Sequence, residues 1–482
     1  MGLFADRQGD DGLPGPQRRF AMIAVMTATA MAVLDGTIVT VALPSISRAL
    51  NVSAADAIWV VNGYLLAAAM TLVTFSALAS RIGFRALFVG GVAVFTIASL
   101  GCALATSLDM LIAMRVLQGI GGAATLSIGP AIYRTVFPTR LLGRILGFNA
   151  LMVAASTAIG PTVGGTLLSI AGWPWLFLIN IPFGVVGIVL GLKAIPQNRS
   201  PSSASFDIAG AFLSAIAMGA AILATDACSH LSDGATFTAL MSIGLYAALT
   251  LIAGFAFIWR QRRAAAPLLP LDIFASSRFS LAALTSLAAF VSQGITIISL
   301  PFLFQNAYGY SVFTSALLFT AWPIGIVFAA PVAGRLADRY PPALLSTLGL
   351  GLFTVGLALL ALLPEQADAF GICWREFLCG VGFGFFQSPN NREMLANVSR
   401  ERSGSASGVL AIVRTFGQCF GAAVVAIILS VYTRHLAEDV PAQIERMQDA
   451  QAMLTSIAVA AAASALAACL SISRIQRRSS IA

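Results

Sequence analysis

The chain has 482 residues, of which 58% are apolar and only 10% are charged, and its formal net charge is +8 at pH 7. Soluble domains carry about 25% charged residues, so this composition excludes an ordinary soluble globular protein and indicates an integral membrane protein. The positive charges fall in short segments between apolar runs. They therefore indicate membrane topology, and no nucleic-acid partner is expected.

Apolar runs of about 20–28 residues follow one another along the chain, and each is long enough to cross a bilayer as a helix. The predicted fold class is an all-α integral membrane protein with 14 transmembrane spans. The predicted spans are 20–43, 57–79, 84–107, 110–133, 145–169, 173–192, 207–227, 235–259, 279–304, 312–334, 343–363, 370–391, 404–431 and 450–472.

The segments between the spans alternate in charge. One set is rich in arginine, as at Arg140 and Arg144, and the other carries acids such as Asp56 and Asp109. Because arginine-rich loops stay in the cytoplasm, both tails are predicted to be cytoplasmic, in a multi-pass protein of the cell (inner) membrane. An even number of spans also requires the two tails to lie on the same side of the membrane. The two histidines, His230 and His435, are interpreted as loop residues of the opposite side.

Two parts of the chain resemble each other. LDGTIVTVALP at 34–44 is matched by SQGITIISLP at 292–301, and the loop at Arg81 is matched by the loop at Arg339 with a nearly constant offset. This pattern predicts a duplicated six-span unit with two further spans inserted between the copies. The predicted divisions are an N-terminal tail (1–19), a six-helix bundle (20–193), a linker with two inserted helices (194–278), a second six-helix bundle (279–472) and a C-terminal tail (473–482).

The first span carries a single carboxylate, Asp35. A charged side chain inside the bilayer costs about 2.5–3.5 kcal/mol on insertion scales, and such acids are usually functional. We therefore interpret Asp35 as a protonatable group in a transport path. The alternatives are a structural acid that is permanently paired, or an acid in a loop because the span ends early. The repeat places Gln293 at the equivalent position, so the acid occurs in one unit only.

Arg115 is the predicted partner of Asp35. Helix geometry places both side chains about 8 Å from the outer surface of a bilayer core roughly 30 Å thick. A carboxylate next to a guanidinium is able to exchange that partner for a proton, although a permanent structural ion pair fits the same spacing. Gln118, one turn from Arg115, is able to hydrogen-bond to either state of the acid.

Other polar residues within spans are weaker candidates. Arg414 lies near mid-depth without a partner in its own helix, and it is expected either to hold a substrate anion or to pair with an acid elsewhere. Glu376 has two interpretations: it is a second site for a proton or cation, or it neutralises the neighbouring Arg375. Arg392 and Glu393 are interpreted as a capping pair at the end of their span.

Four aromatic residues and one amide complete the candidate substrate site. The aromatic residues would form a cavity for planar cations, although packing explains aromatic side chains in a membrane helix equally well. The candidates, with Gln118 and Arg414, are Tyr64, Gln293, Phe304, Trp322 and Phe386.

These motifs together resemble the fourteen-span drug:proton antiporter branch of the major facilitator superfamily, of the EmrB/QacA type. LDGTIVTVALP resembles the first-span motif of that branch, with Asp35 at its acid. The segment from Arg115 to Gly122 resembles the pattern RxxQGxGxA, and Trp173 to Gly184 resembles the signature that follows the antiporter motif. The resemblance covers nearly the whole chain.

The antiporter motif itself is matched by Gly160, Pro161, Gly164 and Gly165. Small residues at this spacing let helices approach closely and proline bends a helix, so a gating role is expected, with plain packing as the alternative. In the family a charged loop, GxLADRxGRR, is thought to latch one access state. The first copy here, SALASRIGFR, keeps fewer charges than the second. The candidate latch residues are Arg81 and Arg85 in the first copy and Arg335, Asp338 and Arg339 in the second.

The resemblance implies proton-coupled efflux of lipophilic, cationic drugs by alternating access, from a monomer whose partners are its small-molecule substrate, protons and the lipid bilayer. The sequence contains no phosphate-binding P-loop, since its one lysine, Lys193, precedes alanine. No enzymatic activity, catalytic residue, metal or cofactor is expected. Alternatives are an exporter of a specific metabolite or lipid, an uncoupled facilitator, and a non-transporting membrane sensor or scaffold.

Overall fold

A computed structural model describes residue 4 and residues 10–197, 207–229, 236–264, 267–364, 367–398, 402–433 and 442–479. Within this part of the chain, 14 helices are long and apolar enough to cross a membrane, and no β-strand is present. The predicted all-α fold with fourteen spans is therefore confirmed. His230 and His435 lie outside the described residues.

The spans are numbered α1 to α14 in chain order. Their bounds are α1 Gly15–Leu50, α2 Trp59–Ile82, α3 Phe84–Ala103, α4 Leu108–Val136, α5 Leu142–Ala171, α6 Trp175–Ala194, α7 Ile208–Ser229, α8 Thr236–Gln261, α9 Ser277–Phe302, α10 Val312–Leu336, α11 Pro342–Ala361, α12 Ala369–Ala396, α13 Ser403–Thr433 and α14 Ala442–Ser479. We call the face where α1 begins and α14 ends the tail side, and the opposite face the far side.

Helix packing divides α1–α6 and α9–α14 into two bundles with the same internal plan. In the first bundle α4 packs on α2 and α3, and α1 packs on α5 and α6. In the second bundle α12 packs on α10 and α11, and α9 packs on α13 and α14. Every one of these contacts is reproduced eight helices later, as a duplicated six-helix unit requires.

The inserted helices α7 and α8 pack mainly on each other, and α7 also lies against α2 and α13. Near the tail side the pair is joined by Asp207, which accepts hydrogen bonds from Arg260 at 2.6 Å and from Gln261 at 2.8 Å. Near the far side the Trp59 indole donates to Asp226 of α7 at 2.6 Å. The insertion is therefore fixed to the first bundle while it also contacts the second.

The first and last helices extend beyond the predicted spans. α1 begins at Gly15 and not at residue 20, because Pro16 lies in its first turn, where proline is favourable. α14 ends at Ser479 and not at residue 472, and within it Arg474 is buried and donates to Asn390 and to Glu393 of α12. Hydropathy misses both extensions because their ends are polar.

The N-terminal segment before α1 is attached to the turn between α4 and α5. Asp10 receives two hydrogen bonds of 2.7 Å from Arg140, and Asp11 receives one from the Thr139 amide and one from its hydroxyl group. These hydrogen bonds from Thr139 hold the pKa of Asp11 below its usual value. The segment is thereby tied to the first bundle on the tail side.

The two bundles meet near the far side. The Gln305 amide donates to the Val41 carbonyl at 2.9 Å, and the hydroxyl groups of Thr162 and Thr320 lie 3.0 Å apart. Gln305 lies on a π-helical turn that follows α9. These contacts join α1 to the turn that follows α9, and α5 to α10. The structure therefore represents a conformation in which the far side is closed.

Candidate coupling and substrate site

Asp35 is completely buried in α1 and accepts hydrogen bonds from three side chains. Arg115 of α4 donates to Oδ2 at 2.5 Å, whereas Gln118 of α4 and Asn180 of α6 donate to Oδ1 at 2.8 and 2.9 Å. The predicted pairing of Asp35 with Arg115 is confirmed, and the matching depth of the two charges is its physical basis.

Arg115 is also completely buried, and its guanidinium group is fixed from several directions. Nε donates to the Val60 carbonyl at 2.8 Å, Nη1 is shared between Asp35 and Gln118, and the guanidinium carbon lies 4.4 Å from the centre of the Tyr64 ring. Nη2 has no hydrogen-bond partner among the described residues. The arginine is thus held in place by backbone and aromatic contacts that do not depend on the charge of Asp35.

Sequence reasoning missed two members of this network, Asn180 and Ser99. Asn180 is 2% exposed and bridges Asp35 and the Ser99 hydroxyl group, which also accepts from Gln118 at 2.8 Å. An asparagine inside the apolar segment WLFLIN is a signal that could have been used, because an amide in a membrane helix needs a partner. Ser99 offered no such signal, since a serine is able to bond to its own helix, as it does to the Phe95 carbonyl.

The network is sealed in this conformation. Asp35, Arg115, Gln118 and Ser99 have no exposed surface, so water does not reach the carboxylate. An ion pair in such surroundings is held by its internal hydrogen bonds, and removal of one partner leaves a costly unpaired charge. Proton exchange at Asp35 therefore requires a conformational change that opens the network.

The glycines of the antiporter motif lie at close helix contacts. A Cβ atom at Gly160 would lie 2.0 Å from the Thr37 hydroxyl oxygen, and one at Gly164 would lie 3.1 Å from the Ile38 side chain. These two glycines pack on α1 within the first bundle. Gly165 instead faces α10 of the second bundle, where a Cβ atom would lie 2.4 Å from that of Ala316. Gly165 is thus the residue of the motif that lies at the junction of the bundles. Pro161 is buried within α5.

The proposed aromatic cavity is not open in this structure. Phe304, Trp322 and Phe386 are 0–2% exposed and belong to the apolar core of the second bundle. The Trp322 ring packs edge-on against Phe353, at 5.3 Å between ring centres, and Phe386 packs on Phe383 at 5.6 Å. Tyr64 is 6% exposed and lies beneath Arg115. A substrate role for these four residues stays a prediction that requires another conformation.

The two glutamines on the substrate list have different surroundings. Gln118 belongs to the sealed Asp35 network. Gln293 of α9 accepts a 2.9 Å hydrogen bond from Gln418 of α13 and is 7% exposed. The repeat-related positions of Asp35 and Gln293 therefore carry an ion pair in one bundle and a neutral amide pair in the other.

Arg392 and Glu393, interpreted as a capping pair at the end of their span, each form an ion pair with a neighbouring element. Arg392 forms an ion pair with Asp338, one of the candidate latch residues, and Glu393 pairs with Arg474 at 3.2 Å. Adjacent residues on a helix point in different directions, so each reaches a different neighbouring helix. The Asp338–Arg392 pair joins the α10–α11 loop to α12 inside the second bundle. Of the other latch candidates, Arg335 and Arg339 are exposed in the same loop region, as is Arg81 in the first bundle, and Arg85 is partly exposed.

Glu376 does not neutralise Arg375, because Arg375 bonds to the Gly371 carbonyl and stacks on Trp374. Glu376 is instead 0% exposed, and neither carboxyl oxygen has a side-chain donor among the described residues. A charge there would be unpaired, so the neutral acid is the form that fits this site.

Comparison with known proteins gives the family. The family model described as Major Facilitator Superfamily matches residues 25–422. The chain belongs to the Major Facilitator Superfamily. The fold agrees, because the solved structure of a bacterial homologue of the human lysosomal transporter Spinster superposes with a TM-score of 0.67 at 16% identity, covering 95% of this chain and 96% of that one.

Several curated members of the superfamily are similar over most of their length. The uncharacterized transporter YebQ of Escherichia coli is 43% identical, covering 88% of this chain and 91% of its own. A tetracenomycin C resistance and export protein of Streptomyces glaucescens is 32% identical, covering 87% and 76% respectively. The riboflavin transporter RibZ of Clostridioides difficile is 28% identical, covering 84% and 87%. This chain is therefore a multi-pass membrane transporter of the superfamily, whose members carry small molecules.

Proposed function

We propose that this chain is a proton-coupled secondary active exporter of small lipophilic molecules that works by alternating access. The observation that carries the proposal is Asp35, a sealed carboxylate that three side-chain donors surround and that one arginine neutralises. The repeat-related position carries the neutral Gln293, so the fold does not need an acid there.

The contacts of Arg115 suggest how a proton is exchanged. The Val60 carbonyl and the Tyr64 ring hold the guanidinium group while Asp35 is protonated or ionised. When the far side opens, a proton binds Asp35 and releases it from the ion pair. When the tail side opens and cargo binds, the proton leaves and the pair with Arg115 forms again. Gln118 offers both a donor and an acceptor, so it satisfies either form of the acid.

We further propose that the predicted segments 20–193 and 279–472 are the two moving bodies, and that α7 and α8 follow the first. Gly160, Pro161, Gly164 and Gly165 would gate the far side. Arg81, Arg85, Arg335, Asp338 and Arg339 would latch the tail side. With the tail side in the cytoplasm, the loop arginines obey the positive-inside rule. Cysteines introduced at Asp56 and Arg263 should then be labelled from opposite sides of the inner membrane, and same-side labelling would contradict the orientation.

Export is favoured by the relative that is named for tetracenomycin C resistance and export. Membership of the EmrB/QacA-type branch and a monomeric state are the finer parts of the proposal, whereas cationic drugs as cargo are implied by the resemblance alone. The relative that is named as a riboflavin transporter favours a second candidate, an exporter of a specific metabolite. Both candidates use the same coupling site and differ only in the lining of the cleft.

Transport into proteoliposomes with an imposed pH gradient tests the proposal. The cargo is first selected by a growth-inhibition panel, with ethidium as the cationic probe. Gradient-driven accumulation that is lost in Asp35→Asn supports proton coupling. The control is Asp109→Asn, which makes the same chemical change at an exposed acid of the far side. Equilibration that ignores the gradient and survives Asp35→Asn would indicate a facilitator, and no flux of any compound would favour a sensor or scaffold.

A further inference from the structure

Arg414 is an exposed charged side chain that lies far from both ends of its span and has no ionic partner among the described residues. Arg414 lies 11 residues into α13, about 17 Å from the tail end of that helix, and its side chain is exposed. It makes no hydrogen bond or ion pair with any described residue. Three other charged side chains deep within the spans, Asp35, Arg115 and Glu376, are 0% exposed. The accessible charge at mid-depth is therefore positive.

The packing of α13 shows which space Arg414 faces. On one side of this helix Gly417 and Gly421 contact α9, and on another side Cys419 contacts the Asn62 carbonyl of α2. Helical geometry places Arg414 on the same side of α13 as Gly417 and Gln418, one turn nearer the tail side. It also lies near enough to Tyr64 of α2 for an electrostatic interaction. Since α2 and α9 belong to different bundles, Arg414 faces the cleft between them.

Other polar groups extend this surface. Gln418 lies one helical turn from Arg414, and its amide donates to the Gln293 carbonyl oxygen. That bond leaves the Gln293 amide nitrogen as a donor. The surface is rich in donors and contains no accessible carboxylate among the described residues at this depth.

A guanidinium group without a counter-charge is costly to enclose within a membrane protein. In this conformation the Arg414 side chain is exposed. When the tail side closes, the charge requires an anion, and among the described residues no acid is placed to supply it, because Asp35 is engaged by Arg115 and Glu376 is fully buried. A guanidinium group pairs best with carboxylate, phosphate or sulfonate through two parallel hydrogen bonds.

We propose that Arg414 binds an anionic group of the transported molecule, so that the cargo of this exporter includes lipophilic organic anions and zwitterions. This inference rests on the proposed export function, and it replaces the cationic cargo implied by the family resemblance. It assigns recognition of the anion to α13, and it separates that site from the proton-coupling pair in the first bundle. Neutralisation of Arg414 by cargo would also favour closure of the tail side around a loaded transporter.

Equilibrium binding to the purified full-length chain in nanodiscs tests the charge preference. The probes are three dansyl compounds that share one fluorophore, namely dansylglycine with a carboxylate, dansylamide without charge, and dansylcadaverine with an ammonium group. Wild type should bind dansylglycine about tenfold more tightly than dansylamide, which is the gain in affinity expected from one hydrogen bond to a charged group. Arg414→Gln should abolish the preference, whereas Arg414→Lys should retain part of it.

Arg278→Gln is the matched control, because Arg278 is an exposed arginine at the tail end of α9, in its first turn. The proposal is overturned if Arg414→Gln keeps the preference, if wild type prefers dansylcadaverine, or if dansylglycine does not bind. Size-exclusion profiles of all variants report correct folding. Binding of dansylglycine should persist in Asp35→Asn, so a failure of proton coupling and a failure of anion recognition give different results.

Discussion

Gly165 offers a perturbation that acts on one conformation of the transporter. It lies in α5 of the first bundle and faces α10 of the second, so its contact exists only while the far side is closed. Substitution by alanine adds one methyl group at this junction. Because α5 and α10 belong to different bundles, the added volume opposes closure and leaves the interior of each bundle unchanged.

The size of the effect follows from the distances. A Cβ atom at position 165 would lie 2.4 Å from that of Ala316 and 3.3 Å from the Val312 carbonyl oxygen. Carbon atoms pack at about 3.5–4.0 Å, so the helices must separate by about 1 Å. Overpacking of this kind costs about 1–3 kcal/mol. We expect the ratio of far-side-open to far-side-closed molecules to rise by about 5- to 150-fold in Gly165→Ala.

Distances between spin labels in proteoliposomes measure this ratio. One pair at Ala171 and Leu362 joins exposed far-side positions of the two bundles, and a second pair at Ile82 and Tyr340 joins exposed tail-side positions. The six native cysteines are replaced beforehand. Gly165→Ala should lengthen the far-side distance and shorten the tail-side distance.

Gly164→Ala is the matched control, since a Cβ atom there meets Ile38 at 3.1 Å within the same bundle. It should reduce stability without a change in either distance distribution. If Gly165→Ala leaves the far-side distances as in wild type, or if Gly164→Ala changes them equally, the contact of α5 with α10 does not determine closure.

Three further outcomes are expected. Arg115→Lys should abolish gradient-driven transport and lower the free energy of unfolding by about 1.5–3 kcal/mol, because an ammonium group cannot hold Asp35 and the backbone carbonyl together; chemical denaturation of the purified protein measures this. Asn180→Ala should cost about 1–3 kcal/mol in the same assay by removing one donor to Asp35. The bonds between Asp11 and Thr139, which lower the pKa of Asp11, should persist at pH 5–8 and be lost only as the pH falls through a value below the usual 3.8. Hydrogen exchange of the Thr139 amide, corrected for its intrinsic rate, tests this, and Asp11→Asn should lose the pH dependence.

The fourteen spans and the pairing of Asp35 with Arg115 could be predicted because each depends on a one-dimensional quantity. Hydropathy gives the length of an apolar helix, and the rise per residue gives the depth of a charge within it. Two opposite charges at the same depth in a membrane protein attract strongly, so their depths alone indicated the contact.

The surroundings of the aromatic residues could not be predicted in the same way. Both faces of a membrane helix are apolar, so hydrophobic periodicity does not separate a side chain in the core of a bundle from one that lines a cleft. Trp322 and Phe386 proved to be core residues for this reason. Asn180 was missed because its role depends on the proximity of α6 to α1, which no sequence spacing reveals.

The position of the inserted helices has a consequence for how cargo dissolved in lipid reaches the interior. A bundle pair of this kind has two seams, one between α2 and α13 and one between α5 and α10. Because α7 lies across the first seam, a molecule that diffuses sideways out of a membrane leaflet is blocked there. Among the described residues no inserted helix packs across the second seam, so we expect lateral entry between α5 and α10.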